Sequence, residues 1–295
     1  MSKRKRELLL SAVLLSLFLN LSPATRAATA DDDKSEGMAG AKGFHASLAS
    51  VLAGRGLNVA DLCDENDSVQ RRVLQEYGAV FIAGKSVAAP PVCVFTSAAE
   101  VAAFQNRVEV SRAEIGGVTI ELQAGAMRAL LAARAEAHSR GLDITPRDGA
   151  EAARRGYEDT VRLWDTRFIP ALEHWRARGA ITEMEAERLA SLSVMKQVAA
   201  VLELEARGMF FSRDFSKPIL HSVAAPGASQ HLSLLALDVN EYSDARVRSI
   251  LARHGWFRTV KNDCPHFTFL DRSEKELKGF GLVKTEDETG EYWTP

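Results

Sequence analysis

The chain has 295 residues, 46% of them hydrophobic and 26% charged, with a net charge of −2. That is enough apolar sequence for a core of ordinary density and for one or two domains. A near-neutral balance without a basic patch interleaved with aromatics excludes an electrostatic case for binding nucleic acid.

At the amino terminus, Lys3-Arg4-Lys5-Arg6 precede an apolar run from Leu8 to Leu21 that is too short for a comfortable membrane span. The small residues Ala24 to Ala30 then offer cleavage after Ala27 or Ala30. Residues 1–27 therefore read as a secretory signal peptide, with no stable membrane span once it is removed. Losing Lys3, Arg4, Lys5, Arg6 and Arg26 together with Glu7 takes +4 off −2 and leaves −6. Residues 28–42 are small, acidic and Gly-bearing, the composition of a flexible leader. An acidic, exported chain, periplasmic or secreted, suits a substrate outside the cytoplasm.

Residues 43–120 read as an accessory region, either a layer on the rest or part of one continuous domain. A short helix is expected from Phe44 to Leu52, stopped by Gly54 and Gly56. A second, capped by Asp67 or Ser68, runs to Tyr77 with Gly78 as its stop. Ala79 to Ala83 and Val92 to Phe95 read as strands, and Ser97 to Glu100 as a capping box opening a helix to Val108. Of three cysteines, Cys63 and Cys93 could bridge in an oxidising compartment; two reduced, buried thiols are the alternative. Cys264 would be the odd one.

Residues 121–295 read as the core domain. An amphipathic helix spans Leu122 to Ser139 and stops at Gly141. Leu142 to Thr145 reads as a strand broken by Pro146, with Arg147 at its end. The stretch Ala150 to Arg178 is helical, with an interruption expected at Pro170; Thr182 to Ala206 is a further helix, ended by Gly208. Ile219 to Ala224 reads as a strand, Asp244 to His254 as a helix, and Trp256 to Val260 and His266 to Leu270 as strands. Short-turn strands flanked by helices give an α+β class, with a mainly antiparallel sheet. His174, His221 and His254 have no carboxylate at ligand spacing and read as structural.

Two stretches carry chemistry: Pro226-Gly-Ala-Ser-Gln-His-Leu-Ser-Leu-Leu-Ala-Leu-Asp238 and Asp263-Cys-Pro-His266. They supply His231, Asp238, Asp263 and His266. Two His and one carboxylate make a three-ligand zinc site that keeps a position for water. A second carboxylate beside it supplies the general base of a zinc hydrolase. The offset of seven between His231 and Asp238 demands a bend, so His231 ends a loop and Ala236 to Asp238 enters a strand. A serine-hydrolase reading of Gly227-Ala-Ser229-Gln-His231 fails because the second Gly of the nucleophile elbow is absent.

The double motif resembles the zinc peptidases related to lysostaphin, D-Ala-D-Ala carboxypeptidases and hedgehog, in particular VanY-like D-alanyl-D-alanine carboxypeptidases. Their pattern is Ser-x-His-x-x-Gly-x-Ala-x-Asp, then Glu-x-x-His. Ser229-Gln-His231 and Ala236-Leu-Asp238 match the first half; Asp263-Cys-Pro-His266 matches the second, with Asp for Glu. The family's Gly is Leu234, which disfavours a positive φ there. The family's Arg, in a Ser-x-Tyr-Arg motif, looks like Arg147, here preceded by Thr-Pro. Across roughly Leu122 to Leu282, the resemblance implies one zinc on His231, Asp238 and His266, with Asp263 as general base. It also implies Arg147 at the substrate's carboxyl end or developing oxyanion, Ser229 holding substrate, and a peptidoglycan stem peptide as that substrate. Two readings stay open beside it: a cross-link endopeptidase with the same zinc site, and a non-catalytic envelope binding module with a decayed site.

Overall fold

In the computed structural model, residues 43–287 and 290–295 are described. The signal peptide expected over 1–27 and the leader over 28–42 lie outside the described residues. Among the described residues, no helix is long and apolar enough to cross a membrane.

Helix α1 (43–53) buries Phe44, Leu48 and Leu52, one per turn on a single face. After α2 (Val59–Leu62), α3 (Ser68–Tyr77) starts at Asp67, whose carboxylate accepts from the Val69 and Gln70 N–H groups. Its chain continues as a fully buried 3-10 turn, Gly78–Ile82, where a strand was expected. A short apolar run does not separate a buried helical turn from a strand. Here the turn follows directly on α3, and Arg55 donates to the Phe81 and Ala83 carbonyls at 3.1 and 2.8 Å. The Val92–Phe95 strand is also absent. Cys93 N–H donates to Leu62 O and Phe95 N–H to Gly227 O, two separate elements, so no ladder forms. Cys63 and Cys93 are joined in a disulfide, with Cα atoms 5.4 Å apart.

Helix α4 (Ala98–Gln105) starts at the expected Ser97 cap. The following hairpin, β1 (Val110–Ile115) with β2 (Val118–Gln123), was not expected. Its signal is the Gly116-Gly117 pair, which takes φ of 60° and 78°, as a tight two-residue hairpin turn requires. Helix α5 (Ala124–Ser139) follows. A division at 120/121 falls inside β2, and Phe44, Val80, Trp256 and Trp293 share one core.

The expected strand at 142–145 reduces to an isolated bridge between Pro146 and Val239, because proline has no N–H with which to extend a ladder. Helix α6 (Tyr157–Ala177) runs unbroken through Pro170. Thr166 and Pro170 lie on the exposed face, so the carbonyl that proline leaves unpaired is open to solvent. The expected 182–206 helix is two, α7 (Glu183–Ala190) and α8 (Val194–Glu205), separated at Ser191-Leu192-Ser193. Ile219–His221 is a 3-10 turn rather than a strand; the Ile219 N–H donates to the Glu205 carboxylate at 2.6 Å.

The remaining elements are β3 (Ala236–Asp238), α9 (Ala245–Arg253), β4 (Trp256–Phe257), β5 (His266–Phe269), α10 (Glu274–Gly279), β6 (Val283–Asp287) and β7 (Gly290–Thr294). The described strands pair antiparallel throughout, as the β1-β2 and β6-β7 hairpins and a three-stranded sheet ordered β3-β5-β4. The class is α+β.

Candidate metal centre

The sheet β3-β5-β4 sets the site. In its register Asp238 stands directly opposite His266, so both side chains leave the same face at the strand ends. His231 arrives from a 3-10 turn, Gln230–Ser233, which ends at Leu234 with φ 60° and ψ 25°. The left-handed bend is therefore made by a leucine where the motif resemblance has Gly, against the expectation that Leu234 would disfavour it. That bend turns the chain from His231 into β3.

Two buried glutamines clamp this loop from outside. Gln105 donates to Leu232 O at 3.1 Å and to Arg155 O at 2.9 Å. Gln123 donates to Ser233 O at 2.8 Å and also pairs with both backbone groups of Ala88. Upstream, Gly227 has φ 81°, and a Cβ there would lie 1.9 Å from Phe95 O, so only glycine fits.

Three ligand atoms converge. His231 Nε2 lies 3.1 Å from His266 Nδ1 and 3.4 Å from Asp238 Oδ1, and His266 Nδ1 lies 3.3 Å from that same oxygen. Metal–ligand bonds of about 2.0–2.1 Å at tetrahedral angles put ligand atoms roughly 3.3–3.4 Å apart. The triangle has that size. As a purely hydrogen-bonded cluster it is poor, because a proton can point along only one edge at a time.

Each ligand's other polar atom is tied down. His231 Nδ1 sits 3.3 Å from Ala153 O, and His266 Nε2 sits 2.9 Å from Gln230 Oε1. Both partners are acceptors, so both rings carry their proton on the far side and turn a lone pair to the centre. Arg155 Nη2 donates to Asp238 Oδ2 at 2.7 Å, leaving Oδ1 for the centre. Gln230 is itself fixed, donating to Tyr77 O at 3.0 Å while its oxygen also accepts from Thr259 and Thr268.

The electrostatics favour the ligand forms. Burial, with the Arg155 charge, lowers the His231 pKa to about 4, so its imidazole is neutral. Burial alone would raise Asp238, yet its carboxyl, paired with the Arg155 guanidinium at 2.7 Å, is held well below its usual range. His231, Asp238 and His266 form a group fit to hold a metal ion, and the neutral-imidazole and carboxylate donor set fits zinc.

The other expected residues line the cavity that opens onto this triangle, about 390 Å³ in volume. Asp263 makes no side-chain hydrogen bond or ion pair among the described residues, and burial raises its pKa. Arg147 is bound through its backbone N–H to Asp238 O at 2.8 Å. Its guanidinium sits 5.4 Å over the Tyr242 ring and 3.4 Å from the exposed Asp148 carboxylate. Ser229 is half-buried at the loop's start and also lines the cavity. Cys264 is a free thiol 3.4 Å from the Tyr292 hydroxyl. The histidines that read as structural are engaged elsewhere: His174 stacks on Phe215, His221 lies 3.5 Å from Glu76, and His254 lies 2.9 Å from Glu136.

Sequence reasoning missed Gln230, Arg155 and Tyr77. Gln230 had a signal, its place directly before a ligand His; the other two come from distant elements and had none.

No family model matches the chain, and no curated protein matches it. Among solved structures, a mutant of the vancomycin-resistance D,D-pentapeptidase VanY from a VanB-type cassette, in complex with Zn(II), matches at 18% identity and a TM-score of 0.34. That match covers 60% of this chain and 85% of the other.

Proposed function

We propose that the protein is a zinc-dependent D-alanyl-D-alanine carboxypeptidase that trims peptidoglycan stem peptides. The observation that carries the reading is the triangle of His231 Nε2, Asp238 Oδ1 and His266 Nδ1, each edge 3.1–3.4 Å and each ligand held from behind. The choice of peptide bond rests on the resemblance of the double motif and on the cations that line the cavity.

Zinc, when bound, supplies a Lewis acid and brings the pKa of a water toward about 7. The chain's own residues do the rest. Asp263, unpaired in the cavity, accepts a proton from the attacking water and returns it to the leaving amine. Burial favours the protonated carboxyl, which suits the second of these steps. Arg147 binds the terminal carboxylate of the peptide or the oxyanion as it develops, work suited to a two-pronged cation. Ser229 holds substrate at the cavity edge. Arg155 keeps Asp238 ionised and oriented. Export is proposed with this function; the Cys63–Cys93 disulfide supports an oxidising compartment.

The test is release of D-Ala from a peptide ending in D-Ala-D-Ala. Asp263→Ala should retain zinc and lose about 10²–10⁴-fold in kcat. Undiminished turnover would remove Asp263 from the mechanism, and separation of two cross-linked stems without release of terminal D-Ala would make the protein an endopeptidase.

A further inference from the structure

Three arginines line the cavity, and two of them are accounted for: Arg155 pairs with Asp238, and Arg147 lies beside Asp148 and Tyr242. Arg167 is different. It projects from α6, half-buried, and donates through Nε to Ser222 Oγ at 2.8 Å and through Nη1 to Thr166 Oγ1 at 2.7 Å. Both partners are neutral hydroxyls. Among the described residues no carboxylate pairs with Arg167, and its Nη2 makes no hydrogen bond.

A half-buried cation without a counter-charge is costly to keep. The surroundings add to the cost, since burial and the nearby Arg213 both act against the charge. The one opposing influence is Asp263, the unpaired carboxylate of the same cavity. Arg167 therefore feels the reacting centre while standing on a different wall from Arg147. A planar cation with unused donors, in a cavity, is built to take a carboxylate in two-pronged fashion.

We infer that Arg167 reads a second carboxylate of the substrate, upstream of the terminal carboxylate taken by Arg147, so that the preferred substrate is an acidic peptide. This rests on the peptidase reading above and adds a specificity determinant to it. Ser222, at the edge of the turn that walls the cavity, and Thr166 hold the Arg167 side chain in place through Nε and Nη1, and leave Nη2 and the second Nη1 hydrogen for the ligand.

The test uses paired peptides ending in D-Ala-D-Ala that differ only by Glu or Gln at one of the two residues before that dipeptide. The wild type should favour the Glu peptide by roughly tenfold to a hundredfold in kcat/KM, expressed in KM. Arg167→Gln should erase that ratio, and Arg167→Lys should restore part of it. A ratio that survives in Arg167→Gln, or an equal loss on both peptides, overturns the inference. The same pair as ketomethylene isosteres, which cannot be hydrolysed, is measured by equilibrium binding. A Glu preference in binding without any hydrolysis of the parent peptides would sink the peptidase reading and leave Arg167 standing. Hydrolysis of both peptides without a preference would do the reverse.

Discussion

Leu234 sits at φ 60° with its side chain fully buried, a combination that costs an L-residue roughly 1–2 kcal/mol of backbone energy. The bend is kept because the Gln123 backbone N–H donates to Leu234 O and the Gln123 side chain to Ser233 O. Truncating the side chain should destabilise by about 2–5 kcal/mol. The order of the truncations is diagnostic. In ordinary backbone, glycine is less stable than alanine by about 0.5–1 kcal/mol. Here Leu234→Gly should be more stable than Leu234→Ala by about 1 kcal/mol, read from urea midpoints; the ordinary order would remove the strain argument. Gln230 acts on His266 instead. Its one oxygen receives His266, Thr259 and Thr268, so Gln230→Ala frees the ring that must present Nδ1. Zinc affinity should fall about 10–100-fold by chelator competition, and an unchanged affinity would refute the tautomer role given to Gln230. That His231, Asp238 and His266 converge was legible because their types and spacings repeat a known order. Arg155 was not, since nothing local marks an arginine that will meet Asp238 from 83 residues away.

Among the elements, the turn after α8 is held by one carboxylate. Glu205 Oε1 accepts from Phe211 N–H at 3.2 Å and from Ile219 N–H at 2.6 Å, and burial outweighs both to raise its pKa to about 7. Between the unfolded value near 4.5 and about 7, the folded chain holds a proton that the unfolded chain has released. Stability from this group is thus complete below the unfolded pKa and is lost as pH rises through about 7, by at most ~3 kcal/mol. Glu205→Gln should flatten that decline in urea unfolding series from about pH 5 to about pH 8, and an unaltered slope would contradict the assignment. The same turn illustrates why several strands were misread. Ile219–His221 and Gly78–Ile82 are short apolar runs, and their helical form depends on a carboxylate and a guanidinium from elsewhere in the chain. Elements whose ends carry their own signals were legible: α3 with Asp67, α4 with Ser97 and α9 with Asp244 all start at their side-chain caps. The Gly116-Gly117 hairpin carried a local signal too, in that glycine pair and in the buried Ile120 and Leu122 alternating with the less buried Thr119 and Glu121, although each strand is short.

At the scale of the molecule, the centre draws on both halves of the chain. Tyr77 from the first half anchors Gln230 through its carbonyl and, through its hydroxyl, the turn at Leu220. Gln105 and Gln123 brace the His231 loop, and the Cys63–Cys93 disulfide lies in the same first half. A region that shows no chemistry in sequence therefore supplies the frame that holds the ligands. The motif could show which residues meet, but the frame depends on contacts more than a hundred residues apart. The claim on which all else rests is that His231, Asp238 and His266 bind one divalent ion. Its most direct test is the zinc-to-protein ratio of the purified chain beside that of His231→Ala. One zinc per chain is expected for the wild type and little or none for the variant. A wild-type chain without metal after zinc-replete growth, or a variant that keeps its full complement, would contradict it.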